Sequence, residues 1–442
     1  MINLIAKNKL PHFLLFILII IIPLISSGRI LLLVDNLYIK ETHSIFIKSL
    51  EDRGHILTIK AADDQTLSLS KYGESLYDHL IIFAPGVDEF GGSINVREIV
   101  SFIDNGGNVL ITAGNRVGDA LRDLAAENGF EFDEDGTSVI DHLNYDVALD
   151  EGDHTTIVAE PSQLIAAPLI VGEGKQHAPI LFRGAALVTD KSNRLRLELL
   201  TASTTAYSFN PQSKIEEYPS AVGKSTILVG ALQARNNARV VLTGSLAMFS
   251  DTFINANIKK VATTESVKSG NLYFITELSK WVFMEKGVLR VKSVSHHKIN
   301  QKSPPREYTI MDEVEYSIEI EELKGGKWVP FKANDVQLEF VRIDPFVRIN
   351  LKENNGKLSA RFKLPDVYGV FKFFVDYRRI GFTHLVDVQQ VSVRPLQHTE
   401  YERFIRSAYP YYFSVFSMMV GVSLFSCVFL YHKELPKEYK SA

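Results

Sequence analysis

Residues 411–431, YYFSVFSMMVGVSLFSCVFLY, run for 21 positions without a charged side chain. At 1.5 Å per residue such a helix reaches about 31 Å, the thickness of a bilayer's hydrocarbon core. Tyr409, Tyr411, Tyr412 and Phe413 crowd one border, and Tyr431 and His432 mark the other. Aromatic side chains gather in this way at lipid–water interfaces. A core helix of this length would carry a polar face, and this one shows only scattered serines and a glycine. The expectation is one membrane-spanning helix over 411–431, with a tail over 432–442.

The other end carries a second, shorter apolar run. Lys7 and Lys9 precede an uninterrupted apolar stretch over 13–22, which Pro23 ends and Ser26-Ser27-Gly28 follows. A basic start, a short apolar core and small residues are the parts of a secretory signal peptide. The core falls short of the roughly 20 residues needed to span hydrocarbon. We therefore expect a signal peptide over 1–28, cut between Gly28 and Arg29. The charges flanking 411–431 do not set an orientation, because arginines stand on one side and lysines on the other. The leader does: residues 29–410 are translocated and the tail stays cytosolic, a type I arrangement.

The only cysteine, Cys427, lies inside the second apolar run, so the translocated part holds no disulfide. No N-x-S/T acceptor occurs anywhere. Both features lean toward a resident of a lumenal compartment, because exposed ectodomains are commonly cross-linked. With 48 basic and 52 acidic residues and no basic stripe, nucleic-acid binding is not expected.

Three regions follow between the ends. Over 29–150, apolar strands at 29–35, 55–61, 79–85 and 108–114 alternate with helical stripes. The stripes are Phe46/Leu50, Val96/Ile99/Val100/Ile103 and Val117/Leu121/Leu124/Ala125. This is the mark of a parallel sheet covered on both faces, in the order of a flavodoxin-like or glutamine-amidotransferase-like α/β domain. Residues 151–286 read as a mixed α/β middle domain, with a strand at 239–245 and a helix over 271–285. Residues 287–400 tend to alternate apolar and polar and carry hairpin turns at 324–326 and 354–356. They predict an antiparallel β-sandwich beside the membrane, with His296 and His297 exposed near a linker.

Ligands of open α/β sheets sit at the carboxyl ends of the strands. Asp35, Asn36, Gly86, Asp88, Gly114 and Asn115 stand there and form the candidate cleft. Helix capping is the plainer role for Asn115. An amidotransferase needs a cysteine nucleophile, and none is translocated. Ser245 in LTGSLA imitates a serine elbow, but Thr243 and Ala247 stand where the elbow requires glycine. The run Asp150, Glu151, Asp153, His154 reads as an acidic loop before it reads as a metal site. No catalytic or metal-binding residue is assigned. A serine hydrolase using Ser245 and a sugar-binding surface receptor are the competing readings.

Long runs do carry a resemblance: residues 34–85 (VDNLYIKETHSIFIKSLEDRGHILTIKAADDQTLSLSKYGESLYDHLIIFAP), FIDNGGNVLI, EFDEDGTSVIDHLNYDV, LTGSLAMFSDTF and PDVYGVFKFFVDYRRIGFTHL. In this order they resemble the family of 48 kDa subunits of the eukaryotic oligosaccharyltransferase complex, from about Arg29 into the anchor. The resemblance implies a non-catalytic structural subunit in the endoplasmic reticulum membrane, with no cofactor of its own. That complex transfers oligosaccharide en bloc from dolichyl diphosphate to Asn of N-x-S/T. The implied partners are the multispanning catalytic subunit, ribophorin-II-like and ribophorin-I-like subunits, and the small defender-against-death subunit.

Overall fold

The computed structural model describes residues 28–173, 178–189, 192–215, 217–261, 266–354, 356–403 and 405–433. Residues 1–27 of the leader expected over 1–28, and the tail from 434 onward, lie outside them. The first sheet has nine strands. In chain order they are β1 (Arg29–Val34), β2 (Ile56–Ala61), β3 (His79–Phe83), β4 (Asn108–Thr112), β5 (Phe130–Phe132), β6 (Leu187–Thr189), β7 (Arg196–Thr201), β8 (Ile227–Gln233) and β9 (Arg239–Thr243). Their order across the sheet is β2-β1-β3-β4-β9-β8-β6-β5, with β7 also on β8. The pairs from β2 to β9 are parallel and those beyond β9 are antiparallel.

The continuous apolar character of β1 has a direct cause. Ile30, Leu32 and Val34 face one buried layer, and Leu31 and Leu33 face another. Helices α1 (Ser44–Asp52) and α4 (Asn271–Val282) cover the first face through Phe46, Leu50, Phe274, Leu278 and Trp281. Helices α2 (Val96–Asp104) and α3 (Asp119–Glu127) cover the other through Ile99, Ile103, Leu121 and Leu124. A side chain on either face of such a strand leaves water, so alternation disappears from the sequence.

The expected boundary at 150 does not separate two sheets. Strand β9, from the second segment, adds to β4 with Val240 opposite Val109 and Leu242 opposite Ile111. Helix α4 also packs on the same core as β1. Segments 29–150 and 151–286 thus share one sheet. Gly28, expected as the last leader residue, is likewise part of this unit. It is buried, and its carbonyl accepts the Ile56 amide at 3.1 Å.

A third core lies between two five-stranded sheets formed by residues 289–394. The strands are β10 (Leu289–Lys298), β11 (Tyr308–Thr309), β12 (Glu313–Lys324), β13 (Lys327–Pro330), β14 (Gln337–Val341), β15 (Pro345–Asn350), β16 (Lys352–Asn354), β17 (Lys357–Lys363), β18 (Gly369–Tyr377) and β19 (Leu385–Arg394). One sheet runs β10-β12-β17-β16 with β13 on β12, and the other β11-β19-β18-β14-β15. The expectation of a wholly antiparallel arrangement needs correction, because β11 pairs in parallel with β19, Tyr308 opposite Val393. His296 is not a free surface residue either. Its ring stacks on Phe373 at 5.1 Å, and its Nδ1 lies 2.9 Å from the Tyr308 hydroxyl.

The two units meet end to end. Arg239, at the start of β9, is fully buried and donates to four carbonyls: Trp281 at 2.5 Å, Lys286 at 2.9 Å, and Gly287 and Gly381 at 3.0 Å each. Gly381 lies in the loop joining β18 to β19. Trp281 Nε1 donates to the same carbonyl at 2.8 Å, and the His384 amide donates to Asn237 Oδ1 at 2.7 Å. Gly287 has φ +69°, and a Cβ there would come within 2.5 Å of the Gly381 oxygen, so only glycine fits this junction.

Beyond β19 the chain enters α5 (Tyr409–Tyr431), slightly longer than expected. It is the one helix among the described residues long and apolar enough to cross a membrane, and it is wholly unburied by the rest of the chain.

Candidate functional site

Five parallel strands present their carboxyl ends side by side, and the candidate residues divide there into four groups. Asp35, just past β1, accepts the Gly86 amide at 3.2 Å. Desolvation raises its carboxyl pKa, and the Gly86 amide opposes that shift. This bond links the two strand ends where the chain order reverses, the usual crevice of such sheets. Asn36 serves its own turn, its Oδ1 accepting the Tyr38 amide at 3.1 Å. Asp88 is exposed and lines neither cavity described below.

Gly114 and Asn115 do line a cavity of about 430 Å³, together with Glu151, Asp153, Thr155 and Arg183. Asn115 does not cap the following helix. Its carbonyl accepts the Gly136 amide at 3.1 Å. Asp135 Oδ1 takes the Val117 amide at 3.3 Å, and α3 follows Gly118, its N-cap, without a side-chain cap. Arg183 reaches Glu151 Oε1 at 3.3 Å and lies 5.6 Å from the Phe253 ring centre. Cation and carboxylate thus share a wall while both remain accessible to solvent.

A second cavity of about 240 Å³ adjoins it through Asp153 and Pro211. Here His142 Nδ1 and His154 Nδ1 lie 2.6 Å apart, and His142 Nε2 lies 2.9 Å from the Tyr207 hydroxyl. Tyr145 stacks on His154 at 4.0 Å. The acidic loop is held by Asp150. Burial alone would raise the pKa of its carboxylate, but the Thr156, His154 and Gly152 amides outweigh that and hold it below the usual range. Among the described residues no cluster of three or more His, Cys, Asp or Glu is placed to hold a metal.

Ser245 is fully buried. Its hydroxyl donates to the Arg183 carbonyl at 2.6 Å and accepts the Met248 amide at 3.2 Å. The hydroxyl is thus committed to backbone, with no histidine partner among the described residues. His43 is engaged elsewhere, its Nε2 3.3 Å from the Leu246 carbonyl. The preceding Gly244 explains the departure from an elbow. A Cβ there would lie 1.8 Å from the Ala185 oxygen, because two backbones cross directly beneath the cavity. The turn is built for close packing.

The OST48 N-terminal domain matches residues 24–285, and the OST48 middle domain matches residues 296–433. The chain belongs to the OST48 family. The first OST48 match covers both sides of residue 150, in keeping with the shared sheet. Relatives named "Dolichyl-diphosphooligosaccharide--protein glycosyltransferase 48 kDa subunit" are 59% identical in Caenorhabditis elegans, over 93% of this chain and 93% of that one. The relative of the same name in Danio rerio is 56% identical over 98% of each chain, and that in Drosophila melanogaster is 56% identical over 93% of each. Among solved structures, a ThuA-like protein from Parabacteroides merdae aligns with a TM-score of 0.30 and 14% identity, covering 64% of this chain and 94% of that chain.

Sequence reading placed Gly114 and Asn115 at the cavity and named the acidic loop. It missed Arg183, His142 and Tyr207. No local pattern marks these residues: Arg183 and His142 lie in separate loops, and Tyr207 starts a short strand, Tyr207–Phe209.

Proposed function

We propose that this chain is a non-catalytic structural subunit of an oligosaccharyltransferase complex, supporting en bloc transfer of oligosaccharide from dolichyl diphosphate to Asn of N-x-S/T. The observation that carries this reading is near-full-length identity of 56–59% with the 48 kDa subunits of that transferase. The committed hydroxyl of Ser245 supports the non-catalytic part, since a nucleophile needs an adjacent base. The strand order β2-β1-β3-β4-β9 supports the flavodoxin-like label for the first unit, and the two facing sheets support the sandwich label for the second.

In this reading the chain sits in the endoplasmic reticulum membrane as a single-pass type I protein, with α5 crossing the bilayer and both folded units in the lumen. Its partners are the multispanning catalytic subunit, the ribophorin-II-like and ribophorin-I-like subunits and the small defender-against-death subunit. It needs no cofactor of its own.

Affinity purification in mild detergent tests the reading. Recovery of the catalytic subunit is expected, and a clean monomer overturns it. Depletion lowers N-glycosylation of a reporter, and the wild-type chain restores it. Labelling of intact cells separates this reading from a surface receptor.

A further inference from the structure

The second unit has two distinct ends. Strand β19 runs from Leu385, beside the junction with the first unit, to Arg394, a span of about 30 Å. The pairing of Gly369 with Val393 and of Val341 with Lys372 places the 342–344 turn and the 365–369 loop at the Arg394 end. This end carries exposed apolar side chains. Ile343 is 87% exposed and Tyr368 63%. Val370 and Phe346 are exposed beside them, Phe346 resting edge-on against Phe371 at 5.5 Å. A Cβ on Gly369 would lie 3.2 Å from Arg342 Nε, so the Arg342 side chain runs over the neighbouring loop and ties the two loops into one tip.

The path to α5 keeps this tip within reach of the start of that helix. Arg394 Nη1 and Nη2 each meet a Glu400 oxygen at 2.8 Å, and the Gln397 amide donates to Glu400 Oε2 at 2.8 Å. The chain is therefore held at the tip as far as residue 400. From there to Tyr409, where α5 begins, it can extend at most about 30 Å.

We infer that the Ile343/Tyr368 tip rests in the lipid–water interface of the membrane that α5 crosses, as a second, non-covalent membrane contact. The inference depends on the spanning role proposed for α5. An isoleucine protruding from a single turn, with a tyrosine and an arginine beside it, suits a fluid interface. Tyr and Arg keep their polar ends in the headgroups while their apolar parts sit deeper. A protein partner would ask for a broader, flatter surface.

The full chain, reconstituted in phosphatidylcholine nanodiscs, supplies the test. Single-cysteine variants Ile343→Cys and Lys324→Cys, made with Cys427→Ser, carry an environment-sensitive dye. The native chain labelled at Cys427 reports the anchor. Shallow spin-labelled lipid is expected to quench the dye at 343 at least about twofold more than at 324, which stands at the opposite end of β12. Equal quenching at 343 and 324, with Cys427 quenched by deep spin label, overturns the tip contact and leaves the anchor standing. No lipid quenching at Cys427 overturns the anchor reading itself. In native membranes, a photo-crosslinking amino acid in place of Ile343 forms a lipid adduct if the inference holds. An adduct to a neighbouring protein overturns it.

Discussion

Arg239 Nη2 donates to the Gly381 carbonyl at 3.0 Å, joining residues 142 apart in the chain and two separately cored units. Among the described residues the guanidinium meets no carboxylate. It is surrounded by carbonyls and lies 4.8 Å from the Trp281 ring centre. Burial lowers its pKa to about 9, so it remains cationic at neutral pH. A planar fork can satisfy four diverging carbonyls at once, which an ammonium cannot. Arg239→Met is expected to strand those carbonyls and cost about 3 kcal/mol. Arg239→Lys should recover only part of that. Thermal unfolding reads the loss, and limited proteolysis near 285–290 shows whether the junction opens first.

Gly244 predicts a more local failure. Gly244→Ala forces apart the backbones at Gly184–Ala185 and Gly244–Ser245, with an expected loss of about 2–4 kcal/mol. Ser245→Ala keeps that backbone and removes the bonds to Arg183 and Met248, at about 1–2 kcal/mol. A glycosylation reporter should therefore tolerate Ser245→Ala at permissive temperature. Loss of glycosylation without loss of folded protein would restore the hydrolase reading.

His79 sets a pH dependence. It is buried against Phe283, with Nδ1 facing the Asn108 side-chain amide at 3.1 Å. Burial first, and then the neighbouring His55, lower its pKa from 6.5 to about 4, against the opposing pull of Asp78 and Glu285. Between pH 6.5 and 4 the unfolded chain takes up a proton that the folded chain refuses. Stability therefore falls as pH drops through this window, by up to about 3 kcal/mol from this group. His79→Gln should flatten that slope in unfolding curves recorded between pH 7 and 4.

Packing at Gly28 sets the cleavage position expected for the proposed leader. Cleavage between Gly28 and Arg29 would remove the carbonyl that accepts the Ile56 amide, and with it the residue packed against His79 and His55. Sequencing of the processed chain is expected to find Gly28 retained. A mature chain starting at Arg29 would contradict this.

Much of the architecture was legible because it is written in neighbouring residues. Phe46 and Leu50 place α1 on the sheet, and Val96, Ile99 and Ile103 do the same for α2. Strand β9 was legible as a strand, but its place beside β4 was not, because pairing leaves no periodicity in either partner. The site was legible at Gly114 and Asn115, which adjoin a strand end, and in the acidic loop that supplies Glu151 and Asp153. Arg183 and His142 reach it through folded loops, and Asn115 lost its expected capping role because Asp135, from another turn, took the amide.

The sequence by itself determined the long apolar run at 411–431, the strands buried on both faces and the absence of cysteine outside that run, since each depends on composition or spacing within one segment. Tertiary structure alone decided that segments 29–150 and 151–286 share a sheet, that Ser245 is spent on backbone, and that Arg239 locks two units. These depend on polar groups from distant segments meeting where water is excluded, and a buried donor must then find whatever acceptor the fold supplies.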